Sequence, residues 1–291
     1  MKKRLSILDI VLILFIIGAA IWLLYRIRIG LEYRWDWSAI PQYLLRFDSK
    51  KGAWVSNLLL QGLFTTIRLS IWGTLLATFL GMAMGLCRVS RSLFLRLVSR
   101  VYVEFHRNLP PIVLIFLYYY FISTQVMGAL DVEGFMQSLP GGYRHILAFL
   151  FTPPSLVVPF ASALITLGIF EGAYIAEIVR SGIQSIEKEQ WEAGRAIGLS
   201  RWQLMRLVIF PLTIRKILPP LAGQFVSTIK DSAIVSVISV QELTFQGMEL
   251  MASTYLVFEI WITITILYMA LTVPVSLSIQ RLETRLRRNF S

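Results

Sequence analysis

The chain has 291 residues, 56% of them hydrophobic and only 15% charged, with a formal net charge of +11. Soluble domains hold roughly 45–50% apolar and about 25% charged residues. This composition, gathered into long apolar runs, excludes an ordinary soluble fold and indicates an integral membrane protein. The positive charge, which in a soluble chain would suggest nucleic acid, is explained by the excess of Lys and Arg in cytoplasmic loops.

Six spans are expected, each near the ~20 apolar residues that cross ~30 Å of hydrocarbon. The first, about Ile7–Tyr25, follows the basic start "MKKR". It is too long for a signal-peptide core and has no clear small-x-small cleavage site after it, so it reads as an uncleaved anchor. A loop, Arg26–Ser56, leads to the second span, about Asn57–Cys87. There Gly81 and Gly85 have the small-xxx-small spacing that packs helices, within a subunit or between subunits. The third span is about Leu109–Met127, and "RNLPP" at Arg107–Pro111 reorients the chain at its start. The outer segment Gly128–Ser155 carries the turn signals "LPGG" and "TPP" and reads as a structured loop at most. The fourth span is about Leu156–Val179, the fifth about Ile217–Val240 and the sixth about Leu256–Ile279. The expected partition is an anchor and extracytoplasmic linker over 1–56 and one membrane domain over 57–291.

With the N-terminus cytoplasmic, inside segments carry nineteen Lys and Arg against seven outside. That places both termini in the cytoplasm. The single cysteine, Cys87, excludes a disulfide framework or a cysteine zinc site within one chain. His106 and His145 are too few and too far apart for a metal centre.

Between spans four and five lies a basic insert, "EQWEAGRAIGLSRWQLMRLVIFP", Glu189–Pro211. Ser185 is placed to cap a helix with Glu187 and Glu189 in its first turn. Gly198 suits the left-handed position that ends it. Ser200 then starts a second helix, with Gln203 completing a capping box and Leu199 and Leu204 at the two positions of a hydrophobic staple. Pro211 limits that second helix. The insert is thus two short rods joined by a glycine turn. Three uses fit such a hairpin: an amphipathic element at the lipid headgroups, a DNA-binding helix-turn-helix, or a docking element for a cytoplasmic partner. The few residues separating it from the flanking spans leave no room for the third helix or dimer that a DNA reader needs.

Ionisable residues inside spans default to functional roles because they are costly there. Glu171, Tyr174 and Glu177 lie in span four, and Lys230, Asp231 and Ser232 in span five. Glu171 and Tyr174 are the candidates for the amino or cationic end of a ligand, with the "KDS" run lining or bracing a pore. Glu177 also has Arg180 three residues on, for a helix ion pair, and Lys230–Asp231 could instead serve interhelix ion pairing. Adjacent helical residues project ~100° apart, so Lys230 and Asp231 cannot both face one ligand.

"EAGRAIG" followed by "VIFP" resembles the EAA loop of ABC-importer permeases, with Glu192, Ala193, Gly194 and Gly198 in its first part and Val208, Phe210 and Pro211 at its end. Gly194 stands where the pattern has its second alanine, at a helix cost of about 1 kcal/mol. "GLFTTIRLS", "YVEFHRNLPPIV", "GAYIAEIVRSGI" and "LPPLAGQFVSTIKDSAIVSVIS" resemble, in that order, the polar amino acid branch (histidine, glutamate, glutamine, arginine, opine). The likeness runs from about Asn57 to the C-terminus.

The resemblance implies an all-α polytopic bundle: an N-terminal anchor plus a five-helix type I ABC importer core, with a cytoplasmic coupling-helix hairpin. It implies a pore made by two permease subunits, identical or not, in the bacterial cytoplasmic (inner) membrane. Its partners would be an ABC ATPase dimer docked on Glu192, Ala193, Gly194, Gly198 and Pro211, and an extracytoplasmic solute-binding protein delivering an amino acid. The chain would be a transport subunit and not an enzyme. It would hold no metal or cofactor, ATP and magnesium belonging to the ATPase, and it would bind membrane lipid but no nucleic acid. The absence of a G-x-x-x-x-G-K-[ST] phosphate loop agrees with that division. A secondary carrier or channel and a membrane-anchored DNA-binding regulator are the competing readings.

Overall fold

The computed structural model describes residues 7–30, 33–50 and 52–288. They fall in two compact units, Met1–Ser38 and Ala39–Ser291. In the first, α1 (Ile7–Gly30) is 24 residues long and contains the apolar stretch Ile10–Trp22. At 1.5 Å per residue it reaches about 36 Å. The expected first span coincides with it, while Lys2, Lys3 and Arg4 lie outside the described residues.

The second unit opens with α2 (Ile40–Leu44) and an antiparallel hairpin of β1 (Leu45–Asp48) and β2 (Ala53–Ser56), in which Leu45 pairs with Ser56 and Asp48 with Ala53. Ile40 is buried in one core cluster with Leu59, Leu243 and Ile260, so the segment after residue 38 packs on the bundle. There follow α3 (Leu58–Arg88), α4 (Leu93–Asn108) and α5 (Pro111–Phe121), a π-helical turn (Ile122–Met127), and α6 (Gly128–Leu130). Next come α7 (Val132–Ser138), α8 (Gly141–Leu150), α9 (Val157–Gln184), α10 (Lys188–Ala196) and α11 (Arg201–Leu204). Beyond a second π-helical turn (Met205–Ile209) lie α12 (Phe210–Asp231), α13 (Leu243–Thr254) and α14 (Val257–Arg288).

Four helices among the described residues are long and apolar enough to cross a membrane: Leu58–Arg88, Pro111–Leu130, Pro154–Gln184 and Val257–Arg281. They coincide with expected spans two, three, four and six. The fifth falls on α12, which begins seven residues earlier than expected, at Phe210 rather than Ile217, and ends at Asp231. Arg215, Lys216, Lys230 and Asp231 dilute its hydropathy, but 22 residues still reach about 33 Å. The segment Gly128–Ser155 is more ordered than a loop: it holds α6, α7 and α8, and "LPGG" starts α8, with Pro140 at its N-cap.

The bundle is built around α3 and α9, the most extensive contact between any two elements. Gly73, Ala77, Gly81 and Gly85 recur every four residues on the buried face of α3. A Cβ at Gly81 would stand 2.5 Å from Ile175, and one at Gly85 2.6 Å from Val179. The small-residue face therefore packs inside the subunit, with the backbones drawn close enough for branched side chains of α9 to fill the groove.

Candidate functional site

Two places gather the candidate residues. The first lies where α9 meets α12. Glu171 is fully buried in α9. One of its oxygens accepts a hydrogen bond from the Gln224 amide of α12; the other, Oε1, is buried with no donor. The Asp231 carboxyl stands close enough to Glu171 for their charges to interact. Two carboxylates repel at that range unless a proton or a cation comes between them. Tyr174, one turn on, is close enough to Glu171, Asp231 and Arg107 to feel their charges, and the Arg107 guanidinium lies 5.6 Å from its ring centre. The group thus offers acceptors for a cationic end, a phenol, and one arginine for an anionic end.

Of the residues expected here, Glu171, Tyr174 and Asp231 come together. Lys230 is exposed. Ser232 is buried, with its hydroxyl donating to the Ile229 carbonyl at 2.7 Å. The Glu177 carboxylate is held by Arg180, whose Nε lies 2.9 Å from Oε1, and by Arg88 of α3 at 3.7 Å. Arg88 in turn reaches Glu104 of α4 at 3.5 Å. Gln224 and Arg107 escaped sequence reading. An amide is not ionisable, and Arg107 counts in a charge tally as one more basic loop residue.

The helix α4 is pinned behind this group. The Tyr102 hydroxyl donates to the Ile169 carbonyl of α9 at 2.6 Å. Gly172 leaves room for it, since a Cβ there would stand 2.7 Å from that oxygen. His106 Nδ1 lies 2.6 Å from the Tyr102 carbonyl, which can only accept, so Nδ1 carries the proton and Nε2 accepts from the Tyr118 hydroxyl at 2.9 Å. Both nitrogens of the buried ring are occupied as a neutral imidazole. Burial holds its pKa below the ordinary value, against the opposing pull of the Tyr102 carbonyl.

The second place is the insert. α10 begins at Lys188, one residue after Glu187, its uncapped N-cap, and Glu189 lies in its first turn. Ser185 does not start it: it closes α9, its hydroxyl donating to the Gly182 carbonyl at 2.8 Å. Gly198 sits at φ +79°, with its N–H bonded to Arg195 and that of Leu199 to Gly194. These are the two bonds of a Schellman ending. Ser200 and Gln203 form both bonds of the capping box, at 2.9 and 3.3 Å. Gly194 is buried because a Cβ there would lie 2.3 Å from Leu204 Cδ1. The glycine that departs from the alanine pattern lets the two rods of the hairpin touch.

Pro211 does not limit the second rod. Helix continues from α11 through Met205–Ile209 into α12, with Pro211 in the first turn of α12. A proline lacks the N–H that an α-helical bond would use, and the wider π-helical turn just before it takes up the mismatch. The second rod has no separate end, so this hairpin offers no free recognition helix. Glu192 and Ala193 are exposed, as is Ile197.

A family profile described as "Binding-protein-dependent transport system inner membrane component" matches residues 73–288. The chain belongs to this family. It is a permease, a multi-pass inner-membrane transport component rather than an enzyme, and neither a secondary carrier nor a DNA regulator accounts for it. The glutamine transport system permease protein GlnP of Escherichia coli (strain K12) is 32% identical over 254 residues, 87% of this permease and 99% of that protein. The probable glutamine ABC transporter permease protein GlnM of Bacillus subtilis (strain 168) is 29% identical, covering 80% and 95% of the two chains. A crystal structure of an amino acid ABC transporter with histidines matches at TM-score 0.65 and 27% identity, over 87% of this permease and 100% of that chain. An inward-facing structure of the MetNI methionine ABC transporter matches at TM-score 0.58 and 18% identity, over 79% and 96%, a likeness of fold alone.

Proposed function

We propose that the permease forms, with a second permease subunit, the pore of an ATP-driven importer of a polar amino acid. The substrate's ammonium would bind between Glu171 and Asp231, beside Tyr174, with Gln224 holding the Glu171 carboxylate in place. An ATPase dimer would dock on the exposed side of the hairpin at Glu192 and Ala193, and an extracytoplasmic binding protein would deliver substrate at the opposite face. Both termini would be cytoplasmic, in keeping with the distribution of Lys and Arg. Residues 1–56 would add an anchor and linker to a permease domain that begins near residue 57.

The observation that carries this reading is the run of helix from Arg201 to Asp231, which joins the capped hairpin to the residues beside Glu171. From Phe210 to Gln224 is about 21 Å along the axis. A push on the hairpin would tilt or turn one wall of the carboxyl group, opening it to one face or the other. Arg180, Arg88 and the Glu177 and Glu104 carboxylates would tie α3, α4 and α9 together as the fixed wall.

Glu192→Lys tests the coupling. It should leave membrane insertion intact and abolish substrate-stimulated ATP turnover of the copurified complex. Unchanged turnover would remove Glu192 from the mechanism.

A further inference from the structure

The hairpin has an inner side as well. Between it and the ends of α3 and α9 lies a cavity of about 810 Å³, within the ~300–1,000 Å³ range of ligand sites. Six cations line it: Arg88, Arg91, Arg96, Lys188, Arg195 and Arg201. Among the described residues no carboxylate lines it. Among the described residues only Arg88 of these six has a carboxylate partner, Glu104 and Glu177, and its Nη1 is buried without a hydrogen bond. Arg96 is held in position by the carbonyls of Ser90 and Arg91 at 3.2 and 3.5 Å. Apart from Ser90 and Gln184 the rest of the lining is apolar, including Leu86, Ile183, Leu204 and the half-buried Trp191.

We propose that this cavity is a binding site for an anionic phospholipid. The phosphate would sit among the arginines and the first methylenes of an acyl chain on the apolar lining, with Trp191 at the level of the headgroups. Like charges converging on one space repel, and a phosphate removes that repulsion while taking paired guanidinium hydrogen bonds. A soluble phosphate would use the cations alone and leave the apolar lining in contact with water. Basic pockets between membrane helices on the cytoplasmic side suit anionic headgroups for the same reason. Because Trp191 and Arg195 belong to α10, bound lipid would brace the hairpin from behind while the exposed side stays open. The inference rests on the cytoplasmic placement of the hairpin proposed above.

The test uses the full chain purified with its ATPase, in nanodiscs of phosphatidylcholine mixed equally with phosphatidylglycerol, with retained lipid read by native mass spectrometry. The wild type should keep phosphatidylglycerol in preference to phosphatidylcholine, and millimolar inorganic phosphate should not displace it. Arg91→Gln with Lys188→Gln should lower that retention about thirty-fold, from two lost basic contacts, and Arg91→Lys with Lys188→Arg should preserve it. Equal retention of the two lipids by the wild type would overturn the proposal. So would displacement by phosphate, which would reassign the cavity to a soluble anion, or unchanged retention in the double glutamine variant. Absence of the ATPase from the wild-type preparation would instead undo the placement of the hairpin, leaving the lipid measurement readable on its own.

Discussion

Gln224 of α12 donates its side-chain amide to the carboxylate of Glu171, 53 residues earlier in α9. It is the one hydrogen-bond donor that the Glu171 carboxylate has from a neighbouring helix among the described residues. Removing it while keeping the volume leaves a buried carboxyl with neither oxygen satisfied. Gln224→Leu should cost about 2 kcal/mol, read as a lower unfolding temperature of the detergent-solubilised protein. In the double variant Glu171→Leu/Gln224→Leu most of that loss should be recovered. An undiminished melting temperature in Gln224→Leu would mean that the bond does not hold the two helices.

Gly194 and Leu204 bring the rods of the hairpin together. Gly194→Ala restores the alanine of the EAA pattern and about 1 kcal/mol of helix propensity. It also places a methyl 2.3 Å from Leu204 Cδ1, and overpacking of this kind costs about 1–3 kcal/mol. The prediction is a net loss of stimulated ATP turnover in Gly194→Ala, recovered by adding Leu204→Val. If the single variant is as active as the wild type, the contact is loose enough for Leu204 to rotate away.

The start of the second rod depends on Ser200. Ser200→Ala removes one bond of the capping box and should cost about 1 kcal/mol. Gly198→Ala, at a left-handed position, should cost about 1–2 kcal/mol, and Gly198→Asn less. Hydrogen exchange of the α10–α11 amides should rise in that order of cost. Equal protection in all three would show that packing on the core around Ile209 and Ile217 holds the hairpin without its turn.

His106 supplies a pH dependence. Its pKa in the fold lies below the ordinary value because the ring is buried. The neutral form is therefore the one the fold favours. That contribution is fully present above about pH 6.5, the ordinary histidine value, and is lost as pH falls through the lower folded-state pKa. Protonation takes the Nε2 lone pair that accepts from Tyr118. The purified protein should melt earlier at pH 5 than at pH 7, and His106→Gln should flatten that difference. A difference that survives in His106→Gln belongs to other groups.

Much of the hairpin was legible in the chain. Gly198, Ser200 and Gln203 act through bonds spanning three to five residues, so their pattern predicts their geometry. Sequence reading failed at Ser185 and Pro211, where the same residue type can serve two ends. A serine between two helices can close one or open the next. A proline can end a helix or stand in its first turn, and which occurs depends on what the preceding turn can accommodate. The intramembrane group was legible only in part. Glu171 and Tyr174 announce themselves as polar residues in an apolar run, whereas Gln224 and Arg107 acquire a role only from neighbours far away in sequence.

By itself the sequence determined the membrane class, the run of spans and the glycine-bent insert, because apolar length, charge and capping act locally. Only the tertiary structure decided that Gly81 and Gly85 face α9, that Asp231 rather than Lys230 meets Glu171, and that the second rod of the hairpin continues into α12. Helical geometry sets the angle between neighbouring side chains. The rotation of each helix about its own axis, which chooses the one that faces inward, is set by the shapes packed against it.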